Sequence, residues 1–308
     1  LDRRQRQMCI RDRMNSAARD DRPNLAIRVG AAWLLTLVAL ALAGWVGELV
    51  QENFGAGRYF RYGLQALIMS GLVVPGILWL RVHLDRAPIS GLGLPGPEKS
   101  LKSMALGIGL IALPLAATIL FAKLFGWANV SVTDAKGAWA GLLFSMVTVF
   151  FFEALPEELA FRGYIYRNLN TRLSRWLAGT VTVALFVLLP MVLVPIQEHF
   201  LGMDVVVGGA SGLTAGYLIT MAVFGSFVQY LRILTGTIWT GVGFHFAFVL
   251  LNRVIGPRST DLIRFSDIVA PGPMQITAIV TVGLLAFGLL AYPKLSGRPI
   301  GWRQVVPE

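Results

Sequence analysis

Charge is scarce in this sequence. Only 14% of the 308 residues are Asp, Glu, Lys or Arg, while 55% are hydrophobic. A soluble domain carries roughly a quarter charged residues, so the polar inventory is too small to cover a water-facing surface. Cysteine is nearly absent: Cys9 stands alone. That excludes an intrachain disulfide, and it excludes a cysteine nucleophile or cysteine-based metal site elsewhere in the chain. Histidine is limited to His83, His199 and His245. The apolar blocks lack period-2 alternation, which excludes a closed β-barrel. No repeat, soluble domain or long linker is apparent. The net charge of +10 invites a nucleic-acid reading, but the basic residues sit between apolar blocks rather than in a stripe with aromatics. They read as topology signals and lipid-headgroup contacts.

What is present is a series of apolar blocks of about 20 residues, the length that crosses about 30 Å of hydrocarbon as a helix. Eight spans are expected near 27–49, 62–82, 103–126, 138–161, 176–196, 210–231, 237–255 and 273–292. The fold class is therefore all-α, a polytopic helical membrane protein. Pro156 and Pro190 interrupt the fourth and fifth spans, and such kinks in membrane helices often flank a cavity. The stretch from Ala87 to Pro97 reads as a loop. With the N-terminus inside, inside segments hold 20 Lys and Arg and outside segments 7, so both termini are expected in the cytoplasm. The location expected is the inner membrane of a prokaryote. Residues 1–13 are Arg-rich and fit nothing downstream, so they read as a non-native leader before Met14. Residues 14–26 and 293–308 read as cytoplasmic tails around one transmembrane domain at 27–292.

The chemistry gathers in Phe151-Phe152-Glu153-Ala154-Leu155-Pro156-Glu157-Glu158-Leu159-Ala160-Phe161-Arg162-Gly163. Three carboxylates fall at the expected cytoplasmic end of the fourth span. A charge at the bilayer centre costs about 2.5–3.5 kcal/mol on insertion scales, so such residues need a partner or a cavity. Glu158 and Arg162 are four apart and share a helix face. Glu153 and Glu157 share a neighbouring face. One carboxylate would then be held by a cation while another stays free to accept a proton from water. A purely structural Glu–Arg pair, with Glu157 reaching out to water, fits the spacing equally well.

His245 favours chemistry. It lies on the seventh span, about 12 Å deep at 1.5 Å per residue, where an antiparallel packing could bring it to Glu157. A lone histidine there could instead make an interhelical hydrogen bond. A serine-protease reading rests on Gly209-Ala210-Ser211-Gly212, but Ser211 falls at the expected start of the sixth span, on the outer side, where a serine is usually an N-cap.

The run Glu157-Glu158-Leu159-Ala160-Phe161-Arg162-Gly163 resembles the CPBP family of membrane proteins, related to CAAX prenyl endopeptidases and to bacteriocin-processing or immunity proteins. The resemblance spans about 91–254. It implies an intramembrane endopeptidase in which Glu157 activates water, Glu158 and Arg162 support it, and His245 orients water or stabilises an oxyanion. The family's second motif would be Phe186-Val187-Leu188-Leu189-Pro190, with Pro190 in place of histidine. Its third would be His245-Phe246-Ala247-Phe248-Val249, with Val249 in place of Asn or Asp. Neither replacement donates a side-chain hydrogen bond. Glu153 and Asn252 are candidate substitutes. No cofactor is expected. A divalent metal on Glu153, Glu157 and His245 is a weaker reading, because no HExxH-like spacing is present. The partners expected are membrane lipids and a membrane-associated peptide or protein substrate, and no nucleic acid. An impaired membrane scaffold or immunity-like protein is the alternative, and a proton-coupled transporter the third reading.

Overall fold

The computed structural model describes residues 23–132, 136–207, 210–255, 263–297 and 299–306. The expected leader at 1–13 lies outside these residues. Each expected span is a helix: α1 Leu25–Phe54, α2 Arg58–Leu84, α3 Pro97–Leu124, α4 Trp139–Leu169, α5 Arg175–Phe200, α6 Ala215–Thr235, α7 Trp239–Ile255 and α8 Pro271–Leu295. Seven are long and apolar enough to cross a membrane unaided, and α7 has 17 residues. The chain is a polytopic helical membrane protein. Among the described residues two short antiparallel ribbons accompany the helices: β1 Asn129–Val132 pairs with β4 Ile263–Ser266, and β2 Val206–Val207 with β3 Ala210–Ser211.

The core forms around the second half of α4, where every residue from Glu158 to Tyr166 is buried. Hydropathy places the end of this span near residue 161, but the helix runs on to Leu169. The reason is local: Arg162, Tyr164, Tyr166 and Asn168 look like loop residues by composition, yet the surrounding helices bury them. The acidic cluster consequently lies inside a helix rather than at its end. α4 is also not a regular α-helix. π-Helical turns at Phe150–Ala154 and Leu159–Ile165 flank the segment Leu155–Glu158. Pro156 has no N–H for the preceding turn and its ring crowds it. A widened turn relieves both, and π-bulges of this kind recur at functional sites.

Glycines permit the closest helix crossing. α7 lies against α3 so tightly that a Cβ on Gly107 would strike the Thr240 carbonyl, and one on Gly243 the Met104 carbonyl. This contact draws α7 inward and carries His245 toward α4. The indole of Trp33 on α1 donates to the Leu185 carbonyl on α5 at 2.9 Å. α8 stands at the periphery against α3, with only Pro293 buried.

The loop after α2 is more structured than its turn-rich composition suggests. It contains a 3-10 turn, Ile89–Leu92, whose Leu92 is buried. Asp85 at its start is fully buried and gathers four donors. Arg28 of α1 reaches it at 2.7 Å, Arg81 at 3.1 Å, the Tyr164 hydroxyl at 2.7 Å and the Asn168 amide at 3.0 Å. Burial alone would raise the carboxyl's affinity for protons. The hydrogen bonds and the Arg28 charge outweigh it, and Asp85 titrates below its ordinary value. One carboxylate thus ties together α1, α2 and α4.

Candidate active site

Glu158 is completely buried, as is Arg162 one turn later. Arg162 Nη1 donates to Glu158 Oε1 at 3.1 Å. The same oxygen lies 3.1 Å from His245 Nδ1. A carboxylate has no proton to offer, so Nδ1 carries the hydrogen and Nε2 is left for another partner. His245 thus docks on Glu158, whereas its depth on the seventh span suggested an approach to Glu157. Glu158 Oε2 has no hydrogen-bond partner among the described residues. Gly241 lies against it: a Cβ there would come within 2.9 Å of that oxygen.

Aromatic rings wall the pair. The Arg162 guanidinium lies over the Phe186 ring at 4.2 Å, and its Nη2 donates to the Gly225 carbonyl at 3.3 Å. Phe224 meets His245 edge to face at 4.8 Å. Such surroundings exclude water and strengthen the electrostatics within. Pro190, one turn beyond Phe186, is buried in α5. Val249, one turn beyond His245, packs against the core.

Glu157 is half-buried, unlike its neighbour. It lies within electrostatic reach of His245, Glu153, Glu158 and Arg162, and among the described residues it has no ion-pair partner. The two adjacent glutamates therefore differ: one is enclosed and held, the other partly exposed and, among the described residues, without an ion-pair partner.

The auxiliary candidates behave otherwise than expected. Glu153 is held by Arg253, whose Nη2 donates to it at 2.8 Å. Arg253 was missed because its loop-like position at the end of a short span gave no hint of a partner. Asn252 is exposed and its amide donates to the Phe248 carbonyl of its own helix at 2.8 Å, so it does not join the site. Glu153, Glu157 and His245 lie within electrostatic reach of one another but are not arranged as ligands of one ion. Among the described residues no group of three His, Cys, Asp or Glu is arranged to hold a metal ion. Ser211 does not cap the sixth helix. It lies in β3, and α6 starts at Ala215 with Thr214 as its cap, the side chain accepting from the Tyr217 N–H at 3.1 Å.

Tyr217 is the residue that sequence reasoning overlooked. It lies within electrostatic reach of both Glu157 and Glu153. The parallel register explains why: Arg162 meets Gly225 and Arg232 of α6, so the earlier turns of α4 face the earlier turns of α6. A tyrosine near the start of an apolar helix carries no signal of this by itself.

Residues 139–251 match the family model described as Rce1-like, type II CAAX prenyl endopeptidase. The resemblance to the CPBP family is thereby borne out over that segment. The matched stretch begins at α4 and ends within α7, so it contains Glu157, Glu158, Arg162 and His245 and both degenerate motifs. No curated protein and no solved structure matches the chain.

Proposed function

We propose that the protein is an intramembrane endopeptidase of CAAX-protease-like type, in which Glu157 activates a water to hydrolyse a peptide bond. The observation that carries this is the division of labour between adjacent carboxylates. Glu158 is neutralised and oriented by Arg162 and His245, while Glu157 stays accessible beside them. General bases need such access, and their supports need fixed geometry.

In this reading Glu157 takes a proton from water as the resulting hydroxide attacks the peptide carbonyl carbon. Negative charge then develops on the carbonyl oxygen. His245 Nε2, as the imidazolium stabilised by Glu158, donates to it, and so does the Tyr217 hydroxyl. The proton held by Glu157 passes to the leaving amine as the C–N bond breaks. Tyr217 supplies the donor that Pro190 and Val249 lack. The substrate is a membrane-associated peptide or tail entering between helices. The protein resides in the inner membrane with both termini cytoplasmic, in contact with lipids, and needs no cofactor.

The test is cleavage of pooled membrane-anchored peptides in nanodiscs, followed by mass spectrometry, for wild type and Glu157→Gln. Gln keeps the shape and removes the base, so a drop of about 10²–10⁴-fold is expected. Equal cleavage by both proteins would overturn the assignment. Failure of both, with both folded, would favour the second reading: a membrane scaffold or immunity-like protein that keeps the fold without turnover. Pro190 and Val249 are the observation behind that reading, since neither side chain can donate a hydrogen bond.

A further inference from the structure

The turn between α4 and α5 is covered by a segment from far along the chain, which the proposed chemistry does not use. α5 begins at Arg175, and its N-cap, Ser174, makes no side-chain cap. The first N–H groups of a helix have no partner within it. Here the Arg175 N–H donates to the Gln304 carbonyl at 3.1 Å, and the Trp176 N–H to the Trp302 carbonyl at 3.2 Å. The same segment is fastened to the end of α4. The Val306 N–H donates to the Asn170 carbonyl at 3.0 Å. The Asn170 amide donates to the Gln304 carbonyl at 3.2 Å, and Arg167 Nη1 to the Val306 carbonyl at 2.8 Å. Within the segment, the Gln304 N–H closes a turn on the Gly301 carbonyl at 2.9 Å.

Every one of these contacts uses the main chain of the segment. The side chains of Arg303, Gln304 and Val305 are exposed. One ring does dock: Trp302 stacks on Tyr230 of α6, the centroids 6.1 Å apart. Tyr230 is itself held in place. Pro293 has no N–H to offer the Leu289 carbonyl one turn before it, and the Tyr230 hydroxyl donates to that carbonyl at 2.8 Å. Main-chain hydrogen bonds for affinity with a side-chain contact for register are the means by which proteins bind separate peptides. Only the exposed turn at Ser296 and Gly297 and the few residues after it join the segment to α8.

We infer that the α4–α5 turn, together with Tyr230, is a peptide-docking surface whose resident ligand is residues 301–306, and that it holds this segment without a covalent link. The partner it fits is a short peptide that offers a tryptophan, a carbonyl two residues later, and both the N–H and the carbonyl of the residue four later. By capping α5, the ligand also steadies the helix whose Phe186 ring covers Arg162. The surface stands apart from the proposed hydrolysis and does not depend on it.

The test uses the full chain in nanodiscs, with a protease site inserted after Gly297 and cut once the protein has folded. Native mass spectrometry should find the released fragment still bound, and the cut protein should melt as the uncut one does. A fluorescent peptide of residues 299–308 should exchange into the cut protein, read by anisotropy, and should not bind the uncut chain, whose surface is filled. Trp302→Ala in that peptide removes the stacked ring, and Val306→Pro removes the N–H that meets Asn170; each should weaken binding by about 10-fold. Arg303→Gln, at an exposed side chain, should leave binding unchanged. Loss of the fragment on cutting would overturn the proposal. So would a peptide that binds cut and uncut protein alike, or one whose binding ignores both Trp302→Ala and Val306→Pro.

Discussion

At the scale of single residues, the site depends on how differently two neighbouring glutamates are treated. Glu158 shares one oxygen between Arg162 and His245, each at 3.1 Å, deep inside the helix bundle. Glu158→Ala would leave Arg162 buried with, among the described residues, only the Gly225 carbonyl as a hydrogen-bonding partner for its side chain. Breaking a buried pair in this way costs about 3–5 kcal/mol. A clear drop in melting temperature in detergent is expected, and an unchanged melt would show that the pair contributes nothing. Tyr217→Phe makes a different prediction. It removes a hydroxyl and little else, so stability should hold while kcat falls, by about 10²–10³-fold if the hydroxyl is a principal oxyanion donor. A fall in melting temperature with intact kcat would assign Tyr217 to structure instead. The Glu158–Arg162 spacing was readable in the sequence because four residues make one helical turn. The Glu153–Arg253 pair was not, since 100 residues separate its members and only folding brings them together.

At the scale of elements, α4 is the helix on which the site is built, and its π-helical turns decide where its side chains point. The proline was visible in the sequence, but the widened turns around it follow from packing as well as from the missing N–H. The Asp85 cluster anchors the far half of the same helix. Its sign with pH follows from its lowered titration. The carboxylate's contribution is complete above the unfolded value of about 4 and is lost as pH falls through the lower folded value. Melting temperature should therefore be insensitive to Asp85 between neutral and mildly acidic pH and decline only in strong acid. Asp85→Asn should melt lower at neutral pH and lose that acid-dependent decline, measured by thermal denaturation across a pH series. An unaltered acid limb in the variant would assign the decline to other carboxylates. In the sequence Arg28 and Arg81 fall inside two apolar spans, and nothing there signals that Asp85, just beyond the second, joins them; their mutual neutralisation is a tertiary effect.

At the scale of the whole molecule, the distribution of lysine and arginine makes an orientation prediction. In a Cys9→Ser background, a cysteine at Asp204 should react with an impermeant thiol reagent from outside the cell, and one at Lys99 only after the membrane is opened. The reverse pattern would invert the topology and move the site toward the other face. Eight apolar blocks were enough to anticipate eight helices and the all-α membrane class, because a backbone in hydrocarbon must satisfy its own hydrogen bonds and a helix does so locally. The Glu-Glu-x3-Arg run likewise marked where charge is buried in the bundle, since charges are expensive there and need partners. Partnership was a matter for the tertiary structure alone. The fold sets His245 on Glu158, draws Glu153 to Arg253, leaves Asn252 outside and puts Tyr217 within electrostatic reach of Glu157. A span's existence depends on local composition, whereas a contact between helices depends on register and on glycines small enough to let backbones meet, which no single segment encodes.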